Sequence, residues 1–265
     1  MNLTKMKALL LLTLSLFSLS TFAAPKAELW QYWNSSNENA VIKVNHQKWQ
    51  TILDKYLVSE GENTLFRYNR VSSSDKQNLK SYIRELSSID PYQLTKAQQY
   101  AYWVNLYNSV TVDLILDAYP VQSITKLGGL FSFGPWEEEV VVINNKKLTL
   151  NDIEHRILRP IWQDPRIHYA VNCASLGCPN LQAQAFTASN TEQLLEQAAT
   201  SFINSEKGVK ITGKLIRLSS IYDWFADDFG SPTELIMHLA NYRPELQNLK
   251  GKIKYDYDWG LNEKK

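Results

Sequence analysis

The chain predicts an α+β fold: a helical N-terminal half packed on a small, mainly antiparallel sheet, in a single domain. Three observations carry that expectation. Three apolar-periodic segments with helix start and stop signals follow one another before residue 120. Short β-rich runs flanking Asn144-Asn145 and Thr212-Gly213-Lys214 come later and read as hairpins. There is no strict alternation of strand and helix, no internal repeat and no low-complexity linker.

The first residues have the layout of an export signal. Lys5 and Lys7 supply the positive end, an apolar run follows from Ala8 to Phe17, and Thr21-Phe22-Ala23 ends on a small residue. Residues 1–23 are therefore expected to be removed, leaving a globular domain over 24–265 in the periplasm or outside the cell. The run is too short for a comfortable membrane span, and no cysteine near the cut offers a lipid anchor. Removing Lys5 and Lys7 from 28 bases leaves 26 against 27 acids. So neutral a chain gives no electrostatic case for nucleic acid. No stable membrane span is expected after cleavage, and a peptide, glycan or protein of the cell envelope is the class of partner that remains. No cofactor is expected.

Asn45 is placed to cap a first helix that turns Trp49, Ile52, Leu53, Tyr56 and Leu57 to one face. Ser74 is placed to cap a second, with Leu79, Tyr82, Ile83 and Leu86, stopped by Asp90-Pro91. Thr95 and Gln98 form a capping-box pattern for a third, running to about Ala118. This third helix is apolar on every face and so belongs in the interior. Asn105 and Asn108 are then buried and need partners. They either tie neighbouring loops to the helix, or stand beside an active site to orient an imidazole or bind an oxyanion. Next come an aromatic loop, Phe131 to Trp136, and a hairpin over Val140 to Leu150. A short helix carries Glu154, His155, Arg156 and Arg159 and is expected to end at Pro160. Helices are also expected over Thr191 to Asn204, Ile221 to Phe229 and Thr233 to Ala240.

Both cysteines fall in Arg166-Ile167-His168-Tyr169-Ala170-Val171-Asn172-Cys173-Ala174-Ser175-Leu176-Gly177-Cys178-Pro179. Ile167, Tyr169 and Val171 alternate and read as a strand that delivers Cys173 to a loop of small residues. Cys173 is the candidate nucleophile. On a strand, His168 at a separation of five would face away from it. His155 is therefore the preferred base, with Asp228 or Asn105 as orienting or stabilising group. In an exported chain the same two residues suit a Cys173–Cys178 disulfide, whose small loop would chiefly set local shape. A metal-dependent hydrolase using His155, His168 and a cysteine or aspartate is a further class, although neither HExxH nor a paired CxxC supports it. The eight Trp and fourteen Tyr serve as core, or line a groove for sugar or peptide.

Four ordered blocks carry a resemblance: Ala101 to Asn108 (AYWVNLYN), Leu150 to Arg159 (LNDIEHRILR), Asp164 to Pro179, and Tyr257 to Asn262 (YDWGLN). In content, order and spacing they resemble the domain-of-unknown-function family number 547, over about Trp49 to Asn262. Asp228-Phe229 also resembles a family block, and Gly260 departs from it where serine is more usual. The resemblance implies no activity. It marks Asn105, Asn108, Glu154, His155, Arg159, His168, Cys173, Cys178 and Asp228 as a shared site or a shared scaffold. Glu154, Arg159, His168 and Asn108 are the expected binding residues. The expected function is a Cys/His-dependent hydrolase or acyl transferase for peptide or amide bonds. A non-catalytic envelope binding protein is the alternative.

Overall fold

In the computed structural model, residues 25–129, 133–248 and 250–265 are described. The expected signal, residues 1–23, lies outside them, as does the Phe131-Ser132 part of the aromatic loop. Among the described residues no helix is long and apolar enough to cross a membrane.

The expected α+β class is observed. α1 (Gln47–Tyr56) buries Trp49, Ile52, Leu53 and Tyr56. α2 (Ser73–Ser87) is capped by Ser72, whose hydroxyl accepts from Asp75 N, and not by Ser74. α3 (Lys96–Ala118) starts at the expected Thr95–Gln98 capping box and is buried along most of its length. Between α1 and α2 lies a hairpin the sequence reading missed, β1 (Leu57–Glu60) and β2 (Asn63–Phe66). β3 (Val141–Ile143) and β4 (Lys146–Leu148) form the expected hairpin. Its two turn residues, Asn144 and Asn145, both take positive φ, which asparagine tolerates and which matches the twist of the strands. α6 (Thr191–Asn204) also follows expectation.

Two segments near the cysteines differ from expectation. The helix bearing Glu154 and His155 does not stop at Pro160. It is a π-helix over Asp152–Leu158 that continues as α4 (Arg159–Trp162). Pro160 has no N–H to give to the preceding turn, and its ring crowds the carbonyl of Arg156. Widening the turn accommodates both. The carbonyls of His155 and Arg156 instead accept from the N–H groups of Glu28 and Trp30, so the chain near residue 28 lies along the widened turn. Second, Ile167–Ala170 is not a strand but one helical turn, α5. The N–H groups of Ile167, His168 and Tyr169 bond back to the carbonyls of Asp164, Pro165 and Arg166.

The remaining elements are β5 (Val209–Thr212), β6 (Leu215–Ser219), α7 (Ile221–Trp224), α8 (Ala226–Phe229), α9 (Pro232–Tyr242) and β7 (Lys252–Asp256). The expected helix over Ile221 to Phe229 is thus two short ones. β5 pairs antiparallel with β6, and β7 adds in parallel on the other side of β6. The strands form three small sheets rather than one. The apolar interior has two parts. One is built round α3, and the other lies between α6, α9 and the β5-β6-β7 sheet. α5 belongs to both, with Ile167 and Ala170 in the first and Tyr169 in the second.

Candidate functional site

A cavity of about 890 Å³ opens where the two apolar parts meet. Its lining includes Tyr107 from α3, Glu154 and His155 from the π-helix, and His168 from α5. Cys173 and Cys178 follow α5, and Trp224, Phe225, Tyr257 and Trp259 come from the C-terminal third. The helical turn at α5 overturns the expectation that His168 faces away from Cys173: both line this cavity. The π turn, with its i to i+5 spacing, likewise brings Glu154 and His155, neighbours in sequence, to the same wall.

The two imidazoles have different partners. Asp228 accepts from His168 Nε2 at 2.6 Å and is held by Arg159 through Nε (2.6 Å) and Nη2 (3.1 Å). Burial pushes the Asp228 carboxyl up, but the hydrogen bonds from His168 and Arg159 outweigh it and leave it far below the usual range. With Nε2 donating to the carboxylate, the proton of neutral His168 sits on Nε2 and Nδ1 is a bare lone pair. That Nδ1 is buried with no hydrogen-bond partner, 3.9 Å from Glu154 Oε1. His155 is in the reverse state. Arg159 Nη1 donates to its Nδ1 at 2.9 Å, and a guanidinium only donates, so the His155 proton sits on Nε2. Burial and the adjacent Arg159 charge drive the His155 pKa well down. His155 is therefore poorly suited as the base, and the imidazole oriented by Asp228 is His168.

Glu154 lies between them, with its Oε1 also 3.9 Å from His155 Nδ1. Burial raises its pKa to about 7, against the opposing pull of Arg159 and of the Tyr107 hydrogen bond. The expectation made it a binding residue; its burial and raised pKa suit a proton carrier near neutrality.

Cys173 and Cys178 are free thiols with Sγ atoms 2.9 Å apart. The expected covalent bond is not formed in this structure. Cys173 Sγ also lies 3.1 Å from Ser175 Oγ and 2.9 Å from Tyr257 Oη. Burial pushes the Cys173 thiol up, but hydrogen bonds with Cys178, Ser175 and Tyr257 overcome this and hold it below its ordinary value. Burial and the neighbouring Cys173 push Cys178 well up. The surroundings thus shift the two thiols in opposite directions, Cys173 down and Cys178 up. The hydrogen-bond partners of the Cys173 sulfur do not include either imidazole.

The two asparagines of α3 do not face a reacting atom. Asn105 Nδ2 donates to Phe186 O and its Oδ1 accepts from Phe186 N. This corrects Asn105 as a catalytic candidate: both ends of its amide are spent on one backbone. Asn108 Nδ2 donates to Ala170 O, and Asn172 N donates to Asn108 Oδ1. Asn108 therefore clamps the chain between α5 and Cys173, a positioning role. Among the described residues no group of three or more His, Cys, Asp or Glu side chains is arranged to hold a metal ion.

Tyr107, Ser175, Tyr257 and the aromatic wall were missed as site residues. Tyr107 reads in sequence as ordinary helix stripe. Tyr257 and Trp259 sit in the last of the four recognised blocks, which was the available signal. The C-terminal segment reaches the cysteines because Leu176 N donates to Gly260 O and Gly177 N to Asp258 O. A Cβ on Gly177 would stand 2.7 Å from Asp258 N, so this approach needs glycine.

Compared with known proteins, residues 91–203 match the family model described as "Protein of unknown function, DUF547". No curated protein and no solved structure matches the chain. The matched stretch includes every candidate site residue named above except Asp228 and those of the C-terminal third.

Proposed function

We propose that this chain, whose residues 91–203 match the DUF547 family model, is a thiol-dependent hydrolase or acyl transferase. Its substrate, in this reading, is a peptide or other amide bond. The observation that carries this is a single cavity shared by a thiol held below its ordinary pKa, a buried carboxyl at about 7 and an imidazole oriented by a carboxylate. Cys173 gives its proton to Glu154, and its sulfur attacks the acyl carbon. The C–S bond forms as the C–N bond breaks, and the departing amine takes the proton from Glu154. Water or a second amine then attacks the thioester, expels the Cys173 thiolate and yields the acid or a new amide. The incoming nucleophile gives its proton to His168 Nδ1, left as the free lone pair by the Nε2 bond to Asp228, and that proton then passes to the departing Cys173 thiolate to restore the thiol. The leader-like residues 1–23 support action in the periplasm or outside the cell, on envelope material.

An activated ester of a simple acyl group tests the thiol step. Intact-mass and peptide analysis should find the acyl adduct on Cys173, and Cys173→Ser should abolish the burst of released alcohol. A native protein whose Cys173 takes no acyl group, while the unfolded chain does, would sink the reading.

The 2.9 Å approach of the two sulfurs favours a second reading, a binding protein whose Cys173–Cys178 loop is closed by a disulfide and forms a rigid wall of the pocket. Thiol titration of protein recovered without reductant separates the two. Two free thiols support the enzyme, and none supports the binding protein.

A further inference from the structure

Part of the cavity lining is a set of aromatic rings in mutual contact. Phe133 meets Trp259 at 5.1 Å between centroids, and Trp136 meets Trp259 at 5.8 Å. Trp259 stacks on Trp224 at 5.5 Å and contacts Tyr257 at 4.6 Å. Gly134 makes room for this wall: a Cβ there would lie 2.0 Å from the Trp136 ring, and its φ of +83 suits glycine. Among the described residues, the carboxyls lining the cavity are Glu137 and Asp223 besides the buried Glu154, and no lysine or arginine lines it. Arg159 is spent on Asp228 and on the inner face of Phe225, 4.9 Å from its centroid. Lys207, electrostatically linked to the cysteines, lines a different cleft beyond Tyr257.

Aromatic faces carry negative potential and attract cations, most strongly where water is displaced. Carboxylates beside such faces add to that attraction and repel an anion. We propose that the group delivered to Cys173 carries an ammonium centre, primary to quaternary, seated on the Trp136–Trp259–Trp224 wall with Glu137 and Asp223 beside it. In the reaction proposed above, on which this inference rests, that ammonium belongs to the acyl or amine part of the substrate and orients the amide toward the thiol. The unpartnered, buried Nδ1 of His168, which lines the same cavity, is a further acceptor available to such a substrate.

The probes are choline, n-butylammonium, 3,3-dimethylbutan-1-ol (the neutral isostere of choline) and butyrate. Each is titrated into the full chain and into its Cys173→Ser variant, following the indole N–H resonances of Trp136, Trp224 and Trp259. Both cations should bind about tenfold tighter than the neutral isostere at low salt, and butyrate weakest. If choline alone binds, the seat is for a quaternary headgroup; if both cations bind, it is for ammonium groups at large; either outcome supports the inference. Because Glu137 and Asp223 are exposed, the Glu137→Gln, Asp223→Asn double variant should fold normally and lose about fivefold in cation affinity. Equal binding of choline and its isostere, or binding of none of the probes, overturns the inference. A cation preference kept in Cys173→Ser, in a protein whose Cys173 is never acylated, would sink the thiol reading alone. Acylation of Cys173 with charge-blind binding would sink this one alone.

Discussion

Glu154 ionises near 4.5 in an ordinary setting and near 7 in the folded protein, with burial as the main cause. Between those values the native state keeps a proton that the unfolded chain has released. Native stability therefore falls as pH rises through that window. Glu154→Gln has no such penalty, so its stability relative to the parent should improve by about 3 kcal/mol between about pH 4 and pH 8. Urea denaturation at the two pH values measures the change, and a gap independent of pH would contradict the assignment. Asp228 works with the opposite sign. Its folded pKa is depressed, so its stabilisation is present above 3.8 and is lost as pH falls through the lower folded value. Asp228→Asn leaves Arg159, 4% exposed, without its ionic partner. The cost at pH 7 should be about 2–3 kcal/mol, less than for a fully enclosed pair because solvent still reaches part of the carboxyl. That cost should shrink below about pH 4. At this scale the sequence exposed the residue types and hid their pairing. The sequence prefers His155 to His168 only through a strand at Ile167–Ala170 that is in fact a helical turn. Which nitrogen of each ring carries the proton depends on Arg159 and Asp228, and Asp228 stands sixty residues from His168.

The best-read elements are those whose signals are local. The start of α3 is written in Thr95 and Gln98, and Thr95→Ala should cost about 1 kcal/mol by thermal unfolding while leaving Cys173 reactivity unchanged. The turns at Asn144-Asn145 and Gly213 are legible for the same reason. α5 was misread because Ile167, Tyr169 and Val171 alternate within a segment whose other residues are also buried. When every side is covered, alternation no longer separates a strand from a turn of helix. The π-helix was misread because Pro160 resembles a terminator. It becomes a bulge only because Glu28 and Trp30, more than a hundred residues earlier, supply the missing donors. Asn108 has its effect at this scale too. Asn108→Ala frees Ala170 O and Asn172 N together, and should destabilise the protein by about 2 kcal/mol. It should also raise the hydrogen-exchange rate of the Asn172 amide and change the alkylation rate of Cys173, whereas Asn105→Ala should leave that rate close to the parent's.

The whole molecule is closed by its end. Asn262 N donates to Ala174 O, Leu261 N to Gln122 O and Phe66 N to Asn262 O, so the last residues join the cysteine loop to β2 and to the exit of α3. β7 meanwhile pairs in parallel with β6 at the edge of the second core. A chain ending at residue 250 lacks these ties, the buried Leu261 and Asn262, and the Tyr257–Trp259 wall. Its Tm should fall by about 10 °C or more, and both cysteines should react with thiol reagents as fast as in the unfolded protein. The helical half with its β pieces could be read from patterns along the chain. The closure could not, because its pairings have no periodicity and span much of the sequence.

The Tyr257 hydroxyl touches Cys173 Sγ while its ring is the last member of the aromatic wall. Occupancy of the wall and ionisation of the thiol are thereby two equilibria with a common group. Thermodynamic reciprocity then fixes their relation without any further structural detail. If a ligand on the wall lowers the Cys173 pKa by some factor in its acid constant, deprotonating Cys173 must tighten that ligand by the same factor. The affinity of an otherwise non-titrating ligand would therefore follow the ionisation of the thiol across pH, and Tyr257→Phe would uncouple the two.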